Sequence, residues 1–443
     1  MGKASIVYVI GLTLVLGIAL FNINRSSTDS MDTYTEYYGR TMAHNIASAG
    51  ANIATSALLV PPVAIVSGTD SFAGGTYTVR VDSLNSNGDS VVVVSTSKID
   101  LYDNIAENQV IRDTIVAKLR HRRFAEYAYF SQSETNGYLA PGSTAAPSGV
   151  NMWKITGDSL FGRAHTNGRW NLSGRPYFED RVTAQFAANL AAGANPIYNK
   201  GYQWQVYLNR PASNLTNLEA RANAGGALLT NNDVALTFFP NGNVNVRIPP
   251  TTGGTRNDTI PISTLTSTGV VAVKNGDVRV KGTYQGQLTV VALKGTTAGN
   301  TKGNIWIDGN IVAATNPNGN MSSPDMLGLV AQRMAYVTTR DPATGLWIPR
   351  TSASVLNIQA AIYTHEGTFA AQEYNNTGLG LCGRINQFGA LAMAASTSTG
   401  LMSGGVISNG FLKTIRHDPR YDEQAPPGFP ASDSYVLVSW WEK

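Results

Sequence analysis

The stretch Val270-Val-Ala-Val-Lys-Asn-Gly-Asp-Val-Arg-Val-Lys-Gly-Thr-Tyr-Gln-Gly-Gln-Leu-Thr-Val-Val-Ala-Leu293 decides the reading of most of the chain. Short apolar, β-branched runs are cut by Asn-Gly-Asp and Gln-Gly-Gln, which is turn chemistry. The pattern continues through Asn304-Ile-Trp-Ile307, Asn310-Ile-Val312 and Leu327-Gly-Leu-Val330. Strand starts at Val270, Leu288 and Ile305 stand 18 and then 17 residues apart, with a shorter strand inside each interval. Such a period predicts a parallel β-helix over about residues 265–415, each turn stacking on the next. Val271, Val273, Val290, Ile305, Ile307 and Val330 are expected to point inward. A β-sandwich is the alternative, and it requires hairpins between consecutive strands.

Composition agrees with a turn-rich β protein. Of 443 residues, 43% are hydrophobic, only 14% are charged, and 44 are glycine. Glycine and asparagine supply the positive φ that tight turns need. The net charge of +4 is spread along the chain, and the single dense basic cluster, Lys118-Leu-Arg-His-Arg-Arg123, is local. No basic stripe with interleaved aromatics points to nucleic acid. One cysteine, Cys382, excludes an internal disulfide and a cysteine-based metal site. Its apolar setting, Leu-Gly-Leu-Cys-Gly, fits a buried thiol.

Toward the N-terminus the pattern changes period. No charge stands between Lys3 and Arg25, and about 20 apolar residues span a bilayer as a helix. A cleaved signal would need small residues at an A-x-A-like site, which Phe21-Asn-Ile-Asn-Arg25 lacks. Beyond it, Met31, Tyr34, Tyr38, Met42, Ile46 and Ile53 recur at helical spacing. A stripe of small residues, Gly39, Ala43, Ala47, Gly50, Ala54 and Ala57, runs beside them. The pattern predicts one helix from residue 4 to about 60, ended by Pro61-Pro62. Gly11, Gly17, Gly39, Ala43, Ala47, Gly50 and Ala54 are the candidate assembly residues, where copies of the helix could pack closely. The same periodicity also suits a helix lying on its own ectodomain, and spacing alone leaves both readings open.

Three segments follow: an N-terminal membrane or assembly helix at 1–62, a short β module at 63–123, and a β-solenoid-like ectodomain at 124–443. In the module, Tyr77, Val79 and Val81 alternate with polar residues, and Asn85-Ser-Asn-Gly-Asp89 precedes Val91–Val94 as a hairpin turn. Residues 110–119 fit either strand or helix. The aromatic run Phe124-Ala-Glu-Tyr-Ala-Tyr-Phe130 marks the join to the ectodomain. Residues 187–260 read as an insertion carrying one hairpin, Val234–Phe239 with Val244–Ile248. The fold class expected is α+β, mainly β.

The run Ala43-His-Asn-Ile-Ala47-Ser-Ala49-Gly50-Ala51-Asn-Ile-Ala54, after its apolar segment, resembles the PilX-type minor pilins and pseudopilins of the type IV pilin-like class. That resemblance implies a prepilin-peptidase cut after a glycine and a glutamate at the fifth mature position. Here Gly2 precedes Lys3, and Val7 stands fifth after Gly2. Gly157-Asp-Ser-Leu-Phe-Gly-Arg-Ala-His-Thr-Asn-Gly168, Gly303-Asn-Ile-Trp-Ile-Asp-Gly-Asn and Arg416-His-Asp-Pro-Arg-Tyr421 are similar to DUF4900-like ectodomains, which imply no chemistry. The resemblance implies a structural subunit that self-associates into a filament. Such a subunit sits in the bacterial inner membrane before assembly and at the cell surface afterwards. A membrane-tethered adhesive or carbohydrate-binding β-helix is the alternative.

Catalytic chemistry finds little purchase. His44, His121, His165, His365 and His417 form no metal-spaced pair. His365-Glu366 reads as a solvated turn, and His165 as an orienter of a turn. Asp277 and Asp308 sit at rung turns beside glycine, where carboxylates cap backbone rather than flank a glycosidic bond. Trp153, Trp170, Trp306, Trp347, Trp440 and Trp441 would make a carbohydrate platform only if exposed together; packing is the default. No catalytic residue, cofactor or metal site is assigned.

Overall fold

A computed structural model of the chain describes residues 2–59, 65–83, 90–101, 109–135, 150–208, 215–249, 255–297, 299–403 and 406–443. It divides into two compact units, Met1–His121 with Ser434–Lys443, and Arg122–Asp433.

The first unit is built on a single helix, α1 (Gly2–Leu59). Its weakest helix formers, near Asn22–Ser30, cause no break. Thr28, Ser30 and Thr33 donate to the carbonyls four residues back, so their hydroxyls do not compete with the helix. The expected terminator Pro61-Pro62 lies outside the described residues, as does the turn Asn85–Asp89. The strands Gly68–Phe72, Gly75–Ser83, Ser90–Leu101 and Gln109–Arg123 form an antiparallel meander. Residues 110–119 are therefore strand. The last strand of the chain, Ala431–Glu442, lies beside the fourth. Residues 434–443 thus belong with the first unit, although the sequence pattern places them in the ectodomain. Ala43, Ile46, Ala54 and Leu58 of α1 share a core with Tyr77, Val79, Val91, Val93 and Leu119 of the sheet.

The second unit is a parallel β-helix. Val270–Lys274, Gln287–Leu293, Met326–Ala331 and Val355–Thr364 pair in succession, every pair parallel. A second ladder runs Val278–Tyr284, Ile305–Ala313, Ala335–Val337 and Phe369–Ala371. This excludes the sandwich. Val271, Val273, Val290, Ile305 and Ile307 point inward as expected. Val330 does not. It is in register with Val291, and because Leu327 and Leu329 occupy the inward phase, period-2 alternation turns Val330 outward. There it packs with Val270 and Val291 under α2 (Leu215–Ala224) and the aromatics Phe124, Tyr421 and Phe429. Strands buried on both faces read as continuous apolar runs, which explains Val-Val-Ala-Val and Met-Leu-Gly-Leu-Val.

The order of the turns departs from the order of the sequence. Tyr129–Ser131 is the first strand of this unit, yet it pairs with Leu381–Met393 on one side and Ala164–Leu172 on the other. The chain therefore enters the middle of the stack. It coils outward through Val182–Leu190 to Tyr202–Gln203, then begins again at the far end with Leu228–Thr230. From there it coils back to the middle at Val406–His417, which pairs with Ser159–Phe161. The stretch read as an insertion, 187–260, is the place where the coil ends and restarts. The expected hairpin forms between Val234–Phe238 and Asn243–Ile248 and gains Arg256–Pro261 as a third strand.

Candidate functional site

Along α1, three lengths have three environments. From Ile6 to Ile23 the large apolar side chains are all exposed, and the most apolar window has a mean hydropathy of 2.5 with none of it buried. By length and composition this is enough to cross a membrane. An added Cβ at Gly11 or Gly17 would meet nothing within 4 Å. Next, Met31, Tyr34, Tyr37 and Tyr38 remain exposed. Met31, Tyr34 and Tyr38 share one helical face, while Asp29, Asp32, Glu36 and Arg40 follow the same spacing on another. Arg40 and Glu36 are joined at 2.6 Å.

From Gly39 onward the helix is covered by its own sheet. Ala43, Ala47 and Ala54 have no exposure, and Gly39 and Gly50 are buried. A Cβ on Gly50 would stand 2.5 Å from Ser95 Oγ and 2.6 Å from the Tyr77 ring. Gly39, Ala43, Ala47, Gly50 and Ala54, expected to present a face to another copy, are buried in the first unit. The small residues are needed because a pleated sheet, not a second helix, approaches the backbone. Of the seven candidate assembly residues only Gly11 and Gly17 stand open. The helix is further tied down at His44, whose Nδ1 lies 3.0 Å from Asp113 Oδ2 and 3.1 Å from Glu442 Oε1. No local pattern links three residues so far apart in sequence, so spacing could not have revealed this contact.

The residues considered for catalysis have structural partners. His165 is buried within a strand rather than at a turn, with Nδ1 2.7 Å from Thr183 Oγ1 and Nε2 2.8 Å from Asn167 Oδ1. Asp277 accepts from the backbone and side-chain nitrogens of Asn304. Asp308 takes both arms of the Arg279 guanidinium, at 2.8 and 2.6 Å. Glu366 is bound by Lys294 at 2.5 Å, and burial opposed by that hydrogen bond leaves its carboxyl below the usual range. Burial pushes the Cys382 thiol up. Trp170 is fully buried, Trp306 stacks on Tyr336 and Arg340 lies over Trp347. These rings pack in separate places; Trp440 and Trp441 are exposed on the last strand of the first unit. Among the described residues no three His, Cys, Asp or Glu groups gather to hold a metal.

No motif marks the buried polar cluster where the two runs of the solenoid meet. Lys154 Nζ donates to Glu134 Oε2 at 2.7 Å and to the Tyr129 hydroxyl at 3.0 Å, and that hydroxyl donates to Glu134 Oε1 at 2.7 Å. Burial alone would lower the Lys154 pKa, but the Glu134 carboxylate and the Tyr129 hydroxyl together outweigh it and hold the ammonium above the usual lysine value.

No known family description matches the chain, and no curated protein matches it in sequence. Among solved structures, the competence-associated pilin ComZ from Thermus thermophilus aligns over 93% of this chain and 97% of its own, with 13% identity and a TM-score of 0.38. At that identity and score the likeness carries no argument, and function rests on this chain's own geometry.

Proposed function

We propose that the chain is a structural subunit of a type IV pilin-like surface filament or pseudopilus, assembled through the N-terminal part of α1. The observation that carries this is the exposed length between residues 24 and 38. A bilayer covers about 20 residues of helix, and the chain's own sheet takes over at Gly39. Between them lie about 22 Å of helix at 1.5 Å per residue, with Met31, Tyr34, Tyr37 and Tyr38 open to solvent. A simple tether gains nothing from a stripe of large apolar side chains there. Copies of the helix packed side by side would bury it, at roughly 25 cal/mol per Å². Within the bilayer, Gly11 and Gly17 would permit the close approach on which helix association depends. The subunit would wait in the inner membrane and carry its β-helix to the cell surface.

The covering of Ala43–Ala54 by the chain's own sheet favours a second reading, a membrane-tethered adhesive or carbohydrate-binding β-helix that acts alone. Negative-stain microscopy of material sheared from the cell surface separates the two. The filament reading expects fibres labelled by an antibody against the ectodomain. Label confined to the membrane fraction, with no fibres, would leave the tethered reading standing.

A further inference from the structure

We propose that a groove on the outer wall of the solenoid binds an acidic polysaccharide, its chain running across the rungs and one uronate carboxylate held by Arg416. The groove measures about 530 Å³, within the range of small-ligand sites. Val355–Thr364, Leu381–Met393 and Val406–His417 stack in parallel register to form its floor. Ile358, Ile385 and Ile415 belong to the central core, so alternation turns their neighbours outward. Two columns result. Asn357, Asn386 and Thr414 stand in register in one, and Gln359, Phe388 and Arg416 in the other. Successive members are one rung apart, about 4.8 Å, a step comparable to the length of one sugar unit.

The chemistry of the columns selects the ligand. A carboxamide donates and accepts at once, which suits neighbouring hydroxyls. Gln359 is held in place, its Oε1 accepting the Ala313 N–H at 2.7 Å and its Nε2 donating to Asn316 Oδ1 at 3.1 Å. Among the described residues the Asn357 and Asn386 carboxamides make no hydrogen bond, so both are available to a ligand. Between the amides and Arg416 stands the half-exposed ring of Phe388, an apolar surface for the C–H side of a pyranose. Arg416 is exposed, lies over the Phe161 ring at 4.2 Å and is the only charged residue that lines the groove. Stacking fixes the plane of its guanidinium and leaves the N–H fork open to a carboxylate. Glu179, the acidic residue that continues this column, lies beyond Phe161 and outside the groove, and Asp422 is paired with His417. One cation is too few for nucleic acid, and one ring without an apolar pocket is too little to anchor a protein segment.

Polygalacturonate oligomers are the probe, titrated calorimetrically into the full chain in detergent. Dextran, a neutral glycan, and polyglutamate, an acidic polymer without sugar rings, are the controls. The expected result is saturable binding of polygalacturonate, with dextran and polyglutamate each weaker by about tenfold or more. Arg416→Gln should weaken polygalacturonate by about tenfold or more, as loss of a charge-assisted bidentate pair does. Phe388→Ala should weaken it severalfold, and Asn386→Ala least of the three. Arg256→Gln, which removes an arginine paired with Asp258 on the hairpin, should bind as the parent does. No binding of polygalacturonate, equal binding of either control polymer, or undiminished binding by Arg416→Gln overturns the proposal. If the melting curve shows that Arg416→Gln is unfolded, the double variant Asn386→Ala with Phe388→Ala is read in its place, and undiminished binding there overturns the proposal equally. The site belongs to the solenoid alone, so no outcome depends on filament assembly.

Discussion

Both ends of α1 carry small residues, but only the second has them at helical spacing, and the two ends use them differently. At the membrane end Gly11 and Gly17 face open space. Toward the other end Ala43, Ala47, Gly50 and Ala54 lie flat on the sheet of their own unit. A row of small residues on a helix states that something comes close to the backbone. It does not state whether that something is a copy, a lipid-buried helix or a strand of the same chain. The large residues decide. Ile46 and Leu58, flanking the covered stripe, have no exposure, whereas Tyr34 and Tyr38 are open.

The sharpest way to break this comparison is to overfill one end at a time. Gly50→Leu should cost about 3 kcal/mol or more of first-unit stability, because overpacking is not relieved where Ser95 and Tyr77 already fill the space. Thermal unfolding and limited proteolysis of Met1–His121 should show the loss, with Arg122–Asp433 unaffected. A Gly50→Leu chain with an unchanged first unit would return the stripe to the assembly reading. Gly11→Leu with Gly17→Leu should leave unfolding of both units unchanged, since nothing lies within reach, and should abolish filaments. Intact filaments would remove the membrane segment from the assembly interface.

Smaller changes sharpen the boundary between the two ends. His44→Ala breaks the contacts to half-buried Asp113 and exposed Glu442, and should cost about 0.5–1 kcal/mol at low salt and less at high salt. A loss of several kcal/mol would mean that His44, rather than the small stripe, fastens the helix. Tyr34→Ser should change the melting of the monomer least, by under about 0.5 kcal/mol, as surface substitutions do.

Much of this architecture was legible in the residues. An uncharged run continuous with a 3.6-residue pattern gave one helix, and rung starts at 270, 288 and 305 gave a parallel coil. What stayed hidden was non-local. Parallel pairing of Tyr129–Ser131 with Leu381–Met393 leaves no trace in either segment, because a buried strand reads the same wherever it stacks. The inward phase of Val330 was misread because an apolar run has no polar residue to mark its outer face. Glu134 and Lys154 find each other across a turn of the coil, and sequence spacing cannot show such a meeting. The covering of Gly39–Ala54 was hidden for the same reason, since helical periodicity fixes a face without naming its partner.

The central claim is that α1 keeps one end for its own sheet and offers the other to its copies. Single-cysteine crosslinking in the native membrane tests it directly. The one natural cysteine, Cys382, is buried and is replaced by serine, and Tyr34→Cys, Tyr38→Cys and Ala47→Cys are then oxidised one at a time. The account predicts dimers and higher ladders from positions 34 and 38, and monomer from position 47. Crosslinks from Ala47→Cys with none from Tyr34→Cys or Tyr38→Cys, or monomer throughout, would contradict it.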